Sequence, residues 1–433
     1  MKVLYDISVL GTGYYYPRAR TGVFRVVEHI AYGLASSKEC DLSFCASESF
    51  QTLNQSLDYL AFNSHFKGVS LPETHFTKIK RVLDSQLRDF NTEINNACNE
   101  EQLKILYLKI LRKLLYHTDK MIGGNSFHLI APKTLEQADI FHSPFYPIPE
   151  QVKRVKNKNT FLTVYDLIPI MFPQFFEFKE DHLLNKILDS LAPDNWAICI
   201  SDSTKNDLCN KFPKIDPSRV FVTPLAASEL FYPCNDSEQI SLIRKKYNIP
   251  NAPYILSLST LEPRKNIDHT IRCFAHLSQQ EHIKDLYLVL VGTKGWDYNK
   301  IFEEISNNNS LQDRIIVTGY VADEDLAALY SGAMAFVYPS FYEGFGLPPL
   351  EAMQCGVPVI TSNTSSLPEV VGDAGIMVSP TDTDALCQSM LEIYNNPSLR
   401  KTMSLRSIER SKQFSWEKCT QSTINAYKTA LSS

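Results

Sequence analysis

The sequence predicts an α/β protein built from two doubly wound parallel sheets. Short apolar runs typical of buried strands alternate with helical segments along most of the chain, which is the pattern of parallel sheets covered by helices. The chain has 433 residues, and single hydrophobic cores stop growing near ~250–300 residues, so we expect more than one domain. Two glutamates, Glu343 and Glu351, also follow a predicted strand, at the edge where open α/β sheets bind ligands.

In the first half of the chain, apolar runs predict strands at residues 2–7, 42–46, 140–143, 160–165 and 196–201. A loop rich in Gly and Tyr is predicted from Gly11 to Arg20, followed by a helix from Val23 to Ala35 with Thr21 as its N-cap. Residues 54–124 are predicted to be an insertion. Its second half is expected to be a helix with one apolar face, made of Leu103, Leu106, Tyr107, Ile110, Leu111 and Leu114.

The second half repeats the alternation. Strands are predicted at residues 254–259, 286–291, 314–321, 335–339 and 357–361, with helices at 323–332 and after Pro348. A last helix begins near Ser415. We expect the junction between the two halves to lie near residues 233–237.

Composition and charge exclude several classes of protein. The net charge of −5 provides no basic field for nucleic acid. Ten cysteines without a Cys-x-x-Cys pair favour reduced thiols over disulfides or a zinc site. The first residues read as a strand rather than a signal peptide, and no apolar stretch approaches the ~20 residues that span a bilayer. A cytoplasmic protein is expected.

Glu343 and Glu351 lie eight positions apart, around a Gly-Phe-Gly loop and a predicted helix start. Gly344 and Gly346 let the backbone approach a ligand closely. The free N–H groups and the dipole of the helix start attract anions such as a diphosphate. Taken singly, Glu343 is equally consistent with a solvated loop residue. Glu351 is equally consistent with a residue that only interacts favourably with the helix dipole. Together they predict a site that binds the hydroxyls of a sugar nucleotide.

Arg264 and Lys265 follow another predicted strand, within Leu-Glu-Pro-Arg-Lys-Asn. Two adjacent cations there suit a diphosphate leaving group, since each charge-assisted hydrogen bond is worth ~1.5–3 kcal/mol. Taken alone, a solvated turn with two surface cations is the commoner interpretation.

The stretch from Pro339 to Pro380 resembles the Glu-x7-Glu signature of the retaining glycosyltransferase family GT4, and Glu262-Pro-Arg-Lys-Asn resembles that family's Glu-x-Arg-Lys-Asn segment. The resemblance implies the GT-B fold, with two Rossmann-like domains facing a cleft. Residues 1–235 would form the acceptor-side domain and residues 236–413 the domain that binds the donor nucleotide. Residues 414–433 would form a helix that crosses back to the first domain.

The resemblance also implies roles for individual residues. Arg264 and Lys265 would hold the donor phosphates, Glu351 the ribose and Glu343 the sugar. With Asp166, the residues Arg264, Lys265 and Glu343 form the expected catalytic set. The expected donor-binding set is Gly22, Thr260, Arg264, Lys265, Tyr320, Val321, Glu343, Gly344, Phe345, Gly346, Leu347 and Glu351.

The acceptor side is marked less clearly. Tyr15 and Tyr16 suit stacking on an acceptor sugar, or packing on their own domain. Tyr165-Asp-Leu-Ile-Pro resembles the family's His-Asp-Leu-Ile-Pro segment, but Tyr165 replaces the histidine and cannot share a proton near neutral pH. Asp166 would orient the acceptor hydroxyl or accept its proton; a turn or N-cap aspartate is the equal alternative.

The resemblance therefore implies a hexosyltransferase of surface polysaccharide synthesis. The expected donor is a nucleoside diphosphate sugar. GDP-mannose is favoured because two segments resemble the mannosyltransferase-like O-antigen branch, and UDP- and dTDP-sugars stay open. The acceptor is expected to be a glycan or a lipid-linked glycan, with no cofactor and no metal. A nucleotide-sugar-binding protein without transferase activity and a nucleotide-sugar epimerase are the alternatives. The basic run 153–158 fits either a solvated loop or a peripheral contact with the inner face of a membrane.

Overall fold

The computed structural model describes residues 1–16, 22–96, 106–113, 129–176, 183–280, 283–293, 295 and 313–433. Their contacts group into two compact units. The first unit contains Met1–Thr163, Asn185–Ala197 and Ile424–Ser433, and the second contains Val164–Leu184 and Ile198–Thr423. The domain boundaries expected at 235 and 413 stay a prediction.

One six-stranded sheet has the order β2-β1-β3-β4-β5-β6. The recorded pairings of β1 with β2, β1 with β3 and β3 with β4 are parallel. The residues of β3 and β5 are buried throughout, as expected for strands covered on both faces. The strands are β1 (Lys2–Asp6), β2 (Asp41–Cys45), β3 (Ile140–Ser143), β4 (Asn159–Val164), β5 (Trp196–Cys199) and β6 (Val220–Val222).

A second six-stranded sheet lies wholly in the second unit and is parallel throughout, in the order β12-β11-β10-β7-β8-β9. The chain runs outward from β7 through β8 to β9, then returns to β10 on the other side of β7. The order therefore reverses between β7 and β10, and ligands bind at the carboxyl ends of strands at such a switch point. The strands are β7 (Tyr254–Leu258), β8 (Tyr287–Val291), β9 (Ile315–Gly319), β10 (Ala335–Tyr338), β11 (Val359–Ser362) and β12 (Ile376–Val378).

Helices connect and cover the strands, and residues 106–113 are also helical. Up to residue 211 the helices are Ser8–Tyr15, Gly22–Ser36, Phe50–Phe62, His75–Asn96, Pro132–Gln137, Glu150–Lys153, Ile168–Met171, Leu183–Asp189 and Asp202–Lys211. Those that follow are Ser237–Lys246, Ile267–Ser278, Asp323–Ser331, Leu347–Gln354, Leu367–Val371, Thr383–Asn395, Pro397–Ser411 and Trp416–Ser432. In the described part of the chain, no helix combines the length and the apolar character needed to cross a membrane.

The loop predicted from Gly11 onward is wrong up to Tyr15, because residues 8–15 form a helix. Its glycines serve close packing rather than a turn. A Cβ atom at Gly11 would lie 2.5 Å from the Ser56 Oγ atom, and one at Gly13 would lie 2.3 Å from the ring of Phe24. The predicted N-cap Thr21 lies outside the described residues.

The insertion contains helices Phe50–Phe62 and His75–Asn96, and residues 106–113 are helical as predicted. The buried side of this last segment differs from the predicted one. Leu108 is buried, whereas Leu106, Tyr107 and Ile110 are more than half exposed. Leu108 lies two positions from Leu106 and from Ile110, which places it on the opposite side of a helix. Leu103 and Leu114 lie outside the described residues.

Candidate active site

The reversal of strand order brings two predicted segments together. Arg264 and Lys265 follow β7 in a short 3-10 turn, and the loop that contains Glu343 follows the adjacent strand β10. A backbone hydrogen bond holds the two loops to each other, since the Phe341 N–H donates to the Arg264 carbonyl at 2.9 Å. The neighbouring strands thus fix the separation of the two segments.

Glu343 pairs with both cations. Its Oε1 atom lies 2.6 Å from the Lys265 Nζ atom, and its Oε2 atom lies 2.8 Å from the Arg264 Nη1 atom. Arg264 also donates to the Glu262 Oε1 atom at 2.8 Å. These side chains are only about a tenth exposed, except that of Glu262, which is 16% exposed. Two cations and two carboxylates therefore balance in a mostly buried cluster.

Two hydroxyls also donate hydrogen bonds to the Glu343 carboxylate. Ser340 donates to its Oε1 atom at 2.6 Å and Tyr338 donates at 2.8 Å. The backbone is held as well: the Glu343 N–H donates to the Ser365 hydroxyl at 3.0 Å, and Ser366 donates to the Glu343 carbonyl at 2.9 Å. Glu343 is thus positioned through its side chain and its backbone.

The charges of the cluster shift one another's pKa values. Burial alone would raise the pKa of Glu343, but Lys265 and Arg264 outweigh it and hold that pKa at about 2. Burial lowers the pKa of Lys265, and the nearby Glu343 carboxylate opposes that change. At neutral pH Glu343 is ionised, which keeps both cations paired.

This cluster should make stability depend on pH in the acid range. Glu343 has an ordinary pKa of 4.5 and a folded pKa of about 2. Its ionised form therefore stabilises the fold above pH 4.5, and that contribution, at most about 3–4 kcal/mol, is lost as pH falls toward 2. We expect the free energy of unfolding to decline less steeply between pH 5 and 3 in Glu343→Gln than in the wild type. Urea unfolding at several pH values measures this pH dependence of the free energy of unfolding.

The matched control for that measurement is Glu409→Gln. Glu409 pairs with Lys412 in the same unit, but both side chains are largely exposed, so its pH dependence should follow the wild type. Equal slopes for Glu343→Gln and the wild type would contradict the assignment.

Glu351 lies in the helix Leu347–Gln354 and is buried. Its Oε2 atom accepts a hydrogen bond from the Tyr330 hydroxyl at 3.1 Å. Gly346, with φ of 120°, precedes the helix, and no side chain caps this helix start. The helix start between the two predicted glutamates therefore follows the loop after β10, and Glu351 lies just over one turn further along the helix.

Asp166 lies in the second unit with the ion cluster, near enough for Arg264, Glu343 and Lys265 to affect its pKa. Burial is the largest influence and raises that pKa. Its Oδ1 atom accepts the Ile168 N–H at 3.0 Å, which fits the interpretation of Asp166 as a turn aspartate. Its role toward an acceptor hydroxyl stays a prediction.

Gly344 packs closely on the residues beside Asp166. A Cβ atom at Gly344 would lie 2.5 Å from the Tyr165 carbonyl oxygen. The Gly344 carbonyl accepts hydrogen bonds from Ser201 at 2.8 Å and from Thr204 at 3.2 Å, and Thr204 also donates to the Tyr165 carbonyl at 3.2 Å. Burial raises the pKa of the Tyr165 phenol, so Tyr165 stays neutral.

Other predicted residues occupy different positions. Thr260 is exposed after β7, and exposed Tyr320 and buried Val321 follow β9, two strands from β7. The ring of Phe345 packs against Phe414 with 5.9 Å between centroids, and Leu347 begins the helix after Gly346.

Gly22, Tyr15 and Tyr16 belong to the first unit. Gly22 begins the helix Gly22–Ser36. Tyr15 and Tyr16 are about half exposed, and the Tyr15 hydroxyl donates to Asp58. Their assignment to an acceptor stays a prediction.

The sequence interpretation missed the roles of Tyr338, Ser340 and Tyr330. Tyr338 and Tyr330 were assigned to an apolar strand and to a helix, and both are buried. The sequence could have pointed only to Tyr338 and Ser340, because they lie at the end of a predicted strand, shortly before Glu343. Among the described residues, no group of three or more His, Cys, Asp or Glu is arranged to hold a metal ion.

Comparison with known sequences gives consistent matches. A family signature described as Glycosyl transferases group 1 matches residues 239–410. O-antigen chain mannosyltransferase B of Escherichia coli is 37% identical over 290 residues, which cover 67% of this chain and 74% of that protein. The serotype-specific mannosyltransferase WbdA of Escherichia coli is 30% identical over 311 residues, which cover 70% of this chain but 38% of WbdA.

Solved structures show the same fold along the chain. Sucrose-phosphate synthase from Thermosynechococcus elongatus matches with a TM-score of 0.63 and 19% identity, covering 99% of this chain and 98% of that one. Anabaena Alr3699/HepE in complex with UDP and glucose matches with a TM-score of 0.63 and 16% identity, covering 99% and 100%. With two parallel six-stranded sheets, these matches confirm the predicted GT-B fold.

Proposed function

Since the chain belongs to the glycosyl transferases group 1 family, we propose that it transfers a mannosyl residue from GDP-mannose to a growing glycan with retention of anomeric configuration. The predictions of the family and of a hexosyltransferase enzyme are confirmed by this membership. Donor, acceptor and stereochemistry are proposals. The observation that carries the binding of a nucleoside diphosphate sugar is the pairing of Arg264 and Lys265 with Glu343 at the switch point of the second sheet.

In this proposal the two cations bind the donor diphosphate. Glu343 and Glu262 neutralise Arg264 and Lys265 in the structure, and the diphosphate takes over part of that role when the donor binds. Charge that builds on the leaving diphosphate meets donors already oriented in a mostly buried site, where electrostatic stabilisation is strong. Arg264 adds a planar fork that suits bidentate binding of phosphate.

The glutamates bind the rest of the donor. Glu343, released in part from the cations, accepts hydrogen bonds from sugar hydroxyls, and Glu351 accepts them from the ribose diol. Pro348 and Pro349 have no N–H group, so the uncapped helix start after Gly346 offers the diphosphate the Leu347 N–H and the positive end of the helix dipole. The remaining proposed donor contacts are Gly22, Thr260, Tyr320, Val321, Gly344, Phe345 and Leu347.

The proposed transfer occurs on one face of the sugar. The acceptor oxygen bonds to the anomeric carbon while the bond from that carbon to the diphosphate oxygen breaks, and the acceptor proton passes to the departing diphosphate. Asp166, beside the cluster, orients the acceptor hydroxyl. Tyr165 lies next to it and lines the acceptor side.

The choice of mannose rests on the relatives. The names of O-antigen chain mannosyltransferase B and WbdA identify them as mannosyltransferases, and the first is matched over most of its length. We propose an O-antigen-like glycan, free or lipid-linked, as acceptor, and synthesis in the cytoplasm near the membrane. The basic run 153–158 adds little support for membrane contact, because Lys153 pairs with Glu150 and Lys158 donates to the Ala138 carbonyl.

Nucleotide selectivity tests the donor. We expect GDP to raise the melting temperature of the wild type more than UDP or dTDP at equal concentration, because a ligand at 100 times its Kd stabilises the fold by about 2.7 kcal/mol. Transfer of mannose from GDP-mannose to a mannose-terminated oligosaccharide, analysed by NMR for anomeric configuration, tests the rest.

Three outcomes would contradict parts of the proposal. A larger rise in melting temperature with UDP than with GDP would show that the donor is a UDP-sugar. A product with inverted anomeric configuration would contradict the same-face mechanism. Release of nucleotide from the sugar nucleotide without any acceptor would favour an epimerase.

A further inference from the structure

Tyr338 contacts both kinds of charge in the ion cluster. Its hydroxyl accepts a hydrogen bond from the Lys265 Nζ atom at 2.8 Å and donates one to the Glu343 Oε1 atom at 2.8 Å. The same ammonium lies 5.3 Å from the centre of the Tyr338 ring. One phenol therefore bridges the cation assigned to the diphosphate and the carboxylate assigned to the sugar.

The phenol is held at the end of a strand that is paired on both sides. Tyr338 is the last residue of β10, which pairs with β7 on one side and β11 on the other, and its side chain is buried. The ring stacks on Phe336 with 5.9 Å between centroids. Lys265 and Glu343, in contrast, lie on loops beyond the strand ends, where side chains depend on their neighbours for position.

A buried tyrosine with an ordinary structural bond looks different. Tyr254, on the adjacent strand β7, is equally buried, and its hydroxyl donates to the Leu329 backbone carbonyl at 2.6 Å. The Tyr338 hydroxyl instead bonds two ionised side chains of the cluster. The Tyr254 hydroxyl therefore bonds a backbone group, whereas the Tyr338 hydroxyl bonds charged side chains.

We propose that Tyr338 is a positioning residue for sugar transfer, whose phenol holds the Lys265 ammonium and the Glu343 carboxylate in the single arrangement that binds diphosphate and sugar together. This inference rests on the proposed function. It assigns no contact between Tyr338 and substrate; the residue acts through Lys265 and Glu343.

Loss of the hydroxyl should affect the turnover rate more than donor binding. Lys265 would keep its pairing with Glu343 but lose the bond that orients its ammonium. An interaction that matters most as charge builds on the leaving group lowers kcat when removed. Because hydrogen bonds to charged groups are among the stronger ones, we expect Tyr338→Phe to lower kcat about 10- to 100-fold, with a much smaller change in KM for the donor.

The pH profile supplies a readout that a structural role would not move. The charged and titratable groups near the Lys265 ammonium are Glu343, Arg264, Glu262, Tyr338 and Asp166. The phenol oxygen stabilises the ammonium, and burial already lowers the Lys265 pKa, so loss of the phenol lowers that pKa further. The alkaline limb of kcat should therefore move to lower pH in Tyr338→Phe.

The experiment compares wild type, Tyr338→Phe and the matched control Tyr254→Phe, with rates expressed per folded molecule after circular dichroism at the assay temperature. Tyr254→Phe should have the kcat of the wild type, and the alkaline limb of its pH profile should not shift. Tyr338→Phe should also lower kcat by a smaller factor in a Lys265→Ala background than in the wild type, because the part of its effect that passes through Lys265 is then already lost.

Each outcome decides the inference. An unchanged kcat and an unshifted limb in Tyr338→Phe, with active wild type, would overturn the role of Tyr338 and leave the proposed function intact. Equal losses in the wild-type and Lys265→Ala backgrounds, or in Tyr254→Phe, would reduce Tyr338 to a structural residue. A wild type that transfers sugar from none of the nucleotide sugars would overturn the proposed function and this inference with it.

Discussion

Replacement of Lys265 by alanine is expected to lower kcat for sugar transfer by about 10²–10³-fold, the range seen when one preoriented donor to a developing negative charge is removed. The fold should survive, because Glu343 keeps its 2.8 Å ion pair with Arg264 and no buried carboxylate is left unpaired. Steady-state kinetics with GDP-mannose, together with thermal unfolding, measures both effects.

Lys246→Ala is the control for this variant. Lys246 also forms a 2.6 Å ion pair in the second unit, with Asp325, but its side chain is 56% exposed. Loss of one such cation should leave kcat unchanged. If Lys265→Ala retained wild-type turnover, neither the phosphate-binding role of the cluster nor the mechanism built on it could stand.

Replacement of Gly292 by alanine is expected to prevent stable folding of the second unit or to destabilise it by more than about 4 kcal/mol, which is exceptional for a single substitution. Gly292 follows β8 with φ of +149°, and a Cβ atom there would lie 1.8 Å from the Ser259 carbonyl oxygen. That oxygen belongs to the backbone just after β7 and cannot move aside as a flexible side chain would. Yield of soluble protein and urea unfolding provide the measurement.

Gly319→Ala separates the two causes of this effect. Gly319 ends β9 and also has positive φ, +72°, but nothing lies within 4 Å of the position of its Cβ atom. Its replacement should cost only the backbone term of about 1–2 kcal/mol. Similar losses in the two variants would show that the contact with Ser259 does not matter.

The site could be predicted in its parts but not in its arrangement. Glu343, Arg264 and Lys265 stand out because their residue types and neighbours suit a sugar nucleotide. Their contact depends on the pairing of β7 with β10, and the order of parallel strands is not encoded in local periodicity. The resemblance to GT4 implied the GT-B fold, and the structure gives the strand order.

The remaining differences have local causes. Gly11 and Gly13 suggested a loop, since glycine favours turns, yet here they allow a helix to pack closely on Ser56 and Phe24. Tyr338 reads as part of an apolar run because a tyrosine ring fits a buried strand. The hydrogen bonds of its hydroxyl to Lys265 and Glu343 cannot be predicted from hydrophobic periodicity. The exposure of Leu106 and Ile110 reflects which side of a helix meets the core, which depends on tertiary packing.

The pairing of Arg264 with both Glu262 and Glu343 has a consequence for selectivity. An empty site with its cations already neutralised presents little net positive charge, so inorganic phosphate or an unrelated nucleotide gains little by entering it. To separate Glu343 from Arg264 and Lys265, a ligand must replace two ion pairs and also offer the freed carboxylate new hydrogen-bond donors. A diphosphate joined to a sugar meets both demands at once. In its proposed donor-binding role, the cluster therefore selects against inorganic phosphate and against free sugar, because each of them meets only one of these two demands.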